Sequence, residues 1–269
     1  MLKKVISRTT GIILGTILVS SLAYAQGSGA ACKDLPTYSQ LKTALTTARN
    51  ASNGGFNLDM WATVVNRDGV VCAVVFTGGN RGDQWPGSRV ISAQKANTAN
   101  AFSLPGLSLS TANLYSAVQP GGSLFGLQES NPVDVSVAYG GNSGNYGQSN
   151  DPMVGGKIGG VNVFGGGLAL YAKNPNPNDP HPILIGAVGV SGDSSCADHN
   201  IAWRTRSELK LDFVPGGVSG QTTRPDNIVY DITPQPGQMP GVSKDGWGHP
   251  QCSPGGAEIG ISTSLPPTH

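Results

Sequence analysis

The chain has 269 residues, of which 12% are charged, 39 are glycine and 19 are proline. This composition excludes long helical bundles and coiled coils, and a hydrophobic content of 38% excludes an intrinsically disordered chain. The formal charge of +1 lacks the basic excess of a nucleic-acid-binding protein.

Residues 1–25 have the pattern of a signal peptide. Three cations, Lys3, Lys4 and Arg8, precede an apolar stretch at residues 11–19, and Ala23-Tyr24-Ala25 provides a cleavage site. The apolar stretch is shorter than the roughly 20 residues that a membrane span needs. We therefore expect a periplasmic or secreted protein with no membrane span after cleavage, a formal charge of −2 and no nucleic-acid partner.

The first half of the remaining chain predicts two long helices and a hairpin. A helix opens at Pro36 and ends at Asn53-Gly54-Gly55. Two strands, at residues 58–66 and 70–77, flank the turn Arg67-Asp68-Gly69. A second helix covers residues 88–103, and a short helix covers 110–118.

The second half begins with residues 119–160, which are nearly all Gly, Ser, Asn and Pro and predict an irregular segment. A second hairpin follows, with strands at 160–164 and 168–172 and a bend at Gly165, Gly166 and Gly167. A strand at 183–190, a helix at 198–211 and a strand-like piece at 228–232 complete the pattern. This order predicts an α+β fold in which helices cover an antiparallel sheet of about five strands.

These elements divide the chain into three parts. Residues 1–25 are the expected leader, residues 26–213 form one domain, and residues 214–269 form a Pro/Gly-rich C-terminal extension.

Four cysteines remain after the leader, and an even number in an exported protein predicts two disulfides. Four cysteines permit three connectivities. Cys32 precedes the first helix and Cys72 lies in the first hairpin, which favours their pairing. Cys196 and Cys252 flank the final third of the chain and form the other expected pair, which would tie the extension to the domain.

His199 and His249 each lie three residues from a cysteine of that second pair. If Cys196 and Cys252 are bonded, the two histidines come into one neighbourhood, either as structural residues or as a paired-imidazole haem site. If they are not bonded, two thiolates and two imidazoles could bind zinc tetrahedrally. The sequence alone leaves these three hypotheses open.

Several blocks of the sequence resemble, in the same order, the GlcG/HbpS haem-binding-like family. They are the hairpin at residues 64–76, the helix Ser92-Ala-Gln-Lys95-Ala-Asn-Thr98-Ala99, Gln119-Pro-Gly-Gly122, residues 159–167 and residues 185–192. The resemblance covers about residues 36–212. It implies a profilin-like domain that assembles into homo-oligomers and binds haem or a similar small cofactor.

The resemblance also implies where such a ligand would bind. Positions associated with iron or haem in the secreted haem-binding member correspond to Val90, Ala93 and Val161, none of which can ligate iron. Lys95 matches the family's lysine and suits a carboxylate or propionate. Lys95 and Asn162 are polar groups on otherwise apolar elements, so we expect a ligand cleft between the Lys95 helix and the glycine bend, Gly165–Gly167.

We therefore predict an exported haem- or small-cofactor-binding protein that is not an enzyme. Two alternatives follow from the same resemblance. One is an enzyme or enzyme accessory in small hydroxy-acid or alcohol metabolism. The other is an oligomeric redox-sensing partner of a membrane sensor.

Overall fold

The computed structural model describes residues 29–253 and 256–269, without the side chains of 238–240. The longer elements are α1 (Tyr38–Arg49), β1 (Trp61–Asn66), β2 (Val71–Phe76), α2 (Ser88–Phe102), α3 (Val135–Ala138), β3 (Gly167–Ala172), β4 (Ile183–Ser191), α4 (Ser195–Glu208), β5 (Ile232–Gln235), β6 (Gln238–Ser243) and α5 (Ala257–Thr263). The expected signal peptide at 1–25 lies outside the described residues.

One antiparallel sheet of four strands, in the order β2-β1-β4-β3, forms the centre of the fold. The α+β class with an antiparallel sheet is therefore confirmed, although the sheet has one strand fewer than expected. Residues 160–164 are not a strand. Their backbone is held instead by α2, where the Asn97 amide donates to the Gly160 carbonyl (2.8 Å) and Asn162 N–H donates to Thr98 Oγ1 (2.9 Å).

Turn chemistry explains the first hairpin. Gly69 has φ of 76°, a conformation that favours glycine. The Asn66 carboxamide oxygen accepts hydrogen bonds from the N–H groups of Asp68 and Val70, each at 2.9 Å. The predicted strands at 58–66 and 70–77 therefore contain β1 and β2, which begin and end within them.

The sheet separates two hydrophobic layers. On one face, α1 and α4 bury Leu41, Leu45 and Ile201. On the other face, α2 packs through its small residues Ala93, Ala96 and Ala99. Gly189 of β4 allows this close approach, because a Cβ there would lie 1.9 Å from the Ser92 carbonyl oxygen.

Capping side chains set the helix starts. Thr37 and Gln40 form a capping box at α1. Ser194 caps α4 through a hydrogen bond from Ala197 N–H (3.3 Å), so α4 begins three residues before the predicted start. It also ends earlier, at Glu208, and Lys210 follows with a positive φ of 58°. This shift places Asp198 inside the helix.

Both expected disulfide pairings occur in the structure, Cys32–Cys72 and Cys196–Cys252. The second joins α4 to the C-terminal extension. A buried ion pair between Arg206 and Asp226 (2.8 Å) and a hydrogen bond from Trp203 Nε1 to the Pro266 carbonyl (2.9 Å) also connect them. In the extension, the regular strands are β5 and β6. The expected strand at 228–232 overlaps them only at Ile232, where β5 begins.

Across 29–253 and 256–269, every helix is too short or too polar to cross a bilayer.

Candidate functional site

The space beside the glycine bend is filled. Lys95 is 2% exposed and its ammonium donates to Asp198 Oδ2 (2.7 Å) and to the Val190 carbonyl (3.2 Å). The carboxylate that this lysine binds is therefore one from the same chain. Burial raises the pKa of Asp198 to about 6, while the charge of Lys95 opposes that rise, so the Asp198 carboxyl is ionised at pH 7. Sequence reasoning missed Asp198 because it placed the start of α4 at this residue.

The three glycines serve close packing. A Cβ at Gly165 would lie 2.3 Å from the Ser195 carbonyl oxygen, and one at Gly166 would lie 2.3 Å from the Val190 carbonyl oxygen. At Gly167 a Cβ would lie 2.5 Å from the Lys95 carbonyl oxygen. In this structure the expected ligand cleft between α2 and the glycine bend is closed, because α2, α4 and β4 approach the bend closely.

Asn162 belongs to the same packed region. Its side-chain oxygen accepts a hydrogen bond from Phe164 N–H (3.2 Å), which stabilises the local turn. Val90, Ala93 and Val161, at the positions where the family resemblance would place ligands, are buried hydrophobic residues at 5%, 0% and 9% exposure. These residues contribute to the core.

His199 and His249 are brought together near Ile228 but are enclosed by protein. His199 is 0% exposed, its Nε2 accepts from Ile228 N–H (3.1 Å), and its Nδ1 is buried with no partner in the described part of the chain. His249 is 1% exposed. Burial lowers the pKa of His199 to about 3 and that of His249 to about 4, so both imidazoles are neutral at pH 7. A porphyrin could reach neither ring without displacing the surrounding chain.

The disulfide Cys196–Cys252 lies beside His249. This bonded state is the one assumed by the structural and haem hypotheses for these residues, whereas the zinc hypothesis assumed free thiols. The Ser195 hydroxyl lies 3.2 Å from His249 Nε2 and 3.3 Å from Cys252 Sγ. Cys196 is fully buried, whereas Cys252 is partly exposed. We name Ser195, Cys196, His249 and Cys252 the junction cluster, because they lie where α4 meets the C-terminal extension.

A different region is open to ligands. Residues 174–182, the proline loop, separate two grooves of about 340 and 310 Å³, within the usual size range of small-molecule sites. The first groove has apolar walls from Pro105, Pro182, Ile183 and Leu184, and Asn174 and Asp179 line it as well. Arg67 also lines it, and its guanidinium is positioned by Asn100 Oδ1 at 2.7 Å.

His181 lies in this first groove and is exposed. Its imidazole makes no hydrogen bond with the described residues. In the second groove, His269 is held by Asp212 Oδ1 (2.8 Å) against Phe213.

Sequence reasoning favoured His199 and His249, which lie near cysteines, whereas His181 lies between Pro180 and Pro182. Those prolines were the useful signal, since a histidine in a Pro-rich loop is more accessible than one on a packed helix.

A third groove, of about 670 Å³, lies between the start of α1 and the end of α4. Its walls include Lys33, Thr37, Gln40 and Glu208. None of its lining residues is a His, Cys, Met or Tyr, the usual axial ligands of haem iron. The proline-loop grooves therefore have the better donor chemistry for haem.

Comparison with solved structures found proteins of low sequence identity. PduOC in complex with heme is 22% identical, covering 65% of this chain and 94% of that one, with a TM-score of 0.44. Klebsiella pneumoniae ORFY is 23% identical, covering 74% and 97%, with a TM-score of 0.37. HbpS is 15% identical, covering 76% and 99%, with a TM-score of 0.37. The search of curated proteins found no match.

Comparison with protein-family models gave a match that covers more than half of the chain. The family described as "Haem degrading protein HbpS-like" matches residues 37–206, well over half of the chain. The match begins just before α1 and ends inside α4, so it contains the whole four-stranded sheet. The chain belongs to the HbpS-like family, as the order of its sequence blocks predicted.

Proposed function

We propose that this protein is an exported haem-binding protein of the HbpS type, with its haem site in the groove beside the proline loop. The observation that carries the proposal is the exposed, unbonded imidazole of His181 in a groove with apolar walls. All four histidines lie in the described residues: His199 and His249 are enclosed and His269 is bonded to Asp212, which leaves His181 as the exposed histidine with an unbonded imidazole. Membership of a family described as haem-degrading supports haem as the ligand.

The residues of the groove fit haem chemically. A neutral imidazole is the commonest proximal ligand of haem iron. Pro105, Pro182, Ile183 and Leu184 offer an apolar surface to the porphyrin, and Arg67 offers a guanidinium to a propionate. Bound haem would supply a redox-active iron. The chain's own contribution is to bind and orient it.

Export is the second part of the proposal. The leader-like residues 1–25 and two disulfides among the four cysteines support an oxidising compartment. The mature chain should begin at Gln26. Mass spectrometry of the protein recovered from the periplasm or medium tests this, and an intact Met1 on the recovered protein would contradict it.

We also propose that the chain forms a homo-oligomer. Large apolar side chains stay exposed in the described residues, among them Phe56 (71%), Phe125 (67%) and Tyr139 (62%). Burial of such side chains between subunits would stabilise an oligomer. Light scattering coupled to size exclusion should give a mass that is a multiple of the chain mass, and a monomer at all concentrations would contradict this.

Haemin titration followed by the Soret band tests the binding site. The wild-type protein should saturate at one haemin per chain. His181→Ala should weaken haemin binding at least tenfold, because the exposed axial donor is removed. The matched control is His269→Ala, which removes the histidine of the neighbouring groove and should leave the affinity within about twofold.

Two outcomes would overturn the proposal. If His181→Ala binds haemin as the wild type does, the site is elsewhere. If the wild-type protein gives no saturable Soret shift, haem is not its ligand.

A further inference from the structure

The junction cluster contains three donors of the kind that bind zinc. One ligand atom from each of Cys196, His249 and Cys252 lies within 4.8 Å of the others, close to the spacing of the corners of a zinc tetrahedron. In the structure the two sulfurs are bonded to each other. The donors therefore become available only when this disulfide is reduced.

Hydrogen bonds around the cluster suit a metal site. His249 Nδ1 lies 4.0 Å from Cys196 Sγ and 2.7 Å from the Pro250 carbonyl oxygen, and the second contact places a proton on Nδ1. Such a bond from the distal ring nitrogen orients histidine ligands in metal sites. The Nε2 lone pair faces the Ser195 hydroxyl at 3.2 Å and becomes available to a metal when that hydroxyl turns away. Cys252 Sγ accepts the Cys196 backbone N–H at 3.1 Å, a contact that favours a thiolate.

Contacts other than the disulfide hold the donors in place. Ser116 Oγ donates to the Gly248 carbonyl (2.6 Å) and His249 N–H donates to the Val229 carbonyl (2.8 Å). Arg206 and Asp226, both 0% exposed at their side chains, pair between α4 and the extension. Reduction of the disulfide should therefore leave Cys196, His249 and Cys252 close together.

We propose that reduction of the Cys196–Cys252 disulfide converts the junction cluster into a zinc site with two thiolates, one imidazole and a water as ligands. The reductant is a protein or small-molecule dithiol, whose two thiols become a disulfide as Cys196 and Cys252 become thiols. Zinc then displaces one proton from each thiol. The Ser195 hydroxyl, 3.2 Å from His249 Nε2, lies where it can hydrogen-bond the water. His199 is outside this donor set, so the site has one imidazole and not two.

Cobalt spectroscopy of the full mature chain tests this proposal. A Cys32→Ser/Cys72→Ser variant removes the other disulfide, and a phosphine reductant opens the remaining one. Added Co²⁺ should give thiolate-to-cobalt charge-transfer absorption in the near ultraviolet and the visible bands of a tetrahedral site. Zn²⁺ should abolish these bands stoichiometrically. The oxidised form of the same variant should give none.

His249→Ala in this background should weaken Co²⁺ binding at least tenfold, while His199→Gln should change it less than threefold. A reduced Cys196→Ser/Cys252→Ser variant, which retains Cys32 and Cys72, controls for thiols in general and should give no tetrahedral bands. Circular dichroism identifies variants that remain folded.

The proposal fails if the reduced, folded protein gives no tetrahedral bands, or if folded His249→Ala gives the wild-type spectrum and affinity. It also fails if the Cys196→Ser/Cys252→Ser control binds equally well. Haemin is absent from these experiments, so their outcome is independent of the proposed haem function.

Discussion

The glycine bend and the proline loop are both rich in residues that keep secondary structure from forming, yet one is closed and the other is open. At the bend, the missing Cβ atoms of Gly165, Gly166 and Gly167 let two helices pack directly on the chain. In the proline loop, Pro175, Pro177 and Pro180 are exposed, and grooves remain on either side of the loop. Glycines therefore indicate where another group comes close to the backbone. At this bend the group is another part of the same chain and not a ligand.

The buried ion pair at the closed region should give the largest effect. Lys95→Met leaves the Asp198 carboxylate buried without its cation, which should cost about 3–5 kcal/mol of unfolding free energy. The double variant Lys95→Met/Asp198→Asn should recover part of this loss, because the unpaired charge is gone. Urea denaturation measures both.

The matched control is Arg49→Met, whose partner Asp59 is partly exposed and whose loss should cost about 1 kcal/mol or less. Equal losses in Lys95→Met and Arg49→Met would mean that the region around Lys95 is open to water.

Adding a methyl group at the bend should give the next effect. Gly166→Ala places a Cβ 2.3 Å from the Val190 carbonyl at φ of +115°, and should cost about 3 kcal/mol. Gly126→Ala, at φ of +86° with no atom within 4 Å, separates backbone strain from the clash and should cost about 1–2 kcal/mol. Thermal or urea unfolding compares them. Similar losses at the two positions would show that the bend has spare room.

Acid should destabilise the protein through its enclosed histidines. The folded-state pKa values of His199 (about 3) and His249 (about 4) lie below the unfolded value of about 6.5, so their contribution is present above pH 6.5 and is lost as pH falls. Asp198, with its pKa raised to about 6, acts with the opposite sign between about pH 6 and 4. Unfolding free energy should fall by up to about 1.4 kcal/mol per pH unit in that window.

A variant at one enclosed histidine sharpens this comparison. His199→Gln should flatten the slope of unfolding free energy against pH by about one proton, because glutamine does not titrate. Denaturation at several pH values between 4.5 and 6.5 gives the slopes. An unchanged slope in His199→Gln would contradict the enclosure of that ring.

The smallest expected effect is on stability at the open region. His181→Ala should change the unfolding free energy by less than about 0.5 kcal/mol, because the imidazole is exposed and makes no hydrogen bond with the described residues. Denaturant unfolding of the apoprotein measures this. A loss above about 1 kcal/mol would mean that His181 supports the fold, and its effect on haemin binding would then be indirect.

Local sequence signals predicted most of the fold but little of the site. Turn residues such as Gly69 and the small residues of α2 act within a few positions, so the hairpin, the helices and the cysteine pairing could be inferred. The closure of the expected cleft could not be inferred, because it depends on where α4 starts. Because Ser194 caps α4, the helix starts most of a turn earlier than predicted. Asp198 then lies within the helix and contacts Lys95. The exposure of His181 also depends on tertiary packing, which its proline neighbours indicate but do not determine.

The position of the iron tests the central claim most directly. Crystals of the haemin complex measured at the iron absorption edge give an anomalous difference peak that needs no assumption about the ligand. We predict a single strong peak at coordination distance from a ring nitrogen of His181, beside Arg67 and Leu184. A peak at the glycine bend near Lys95, or at His199 or His249, would contradict the account.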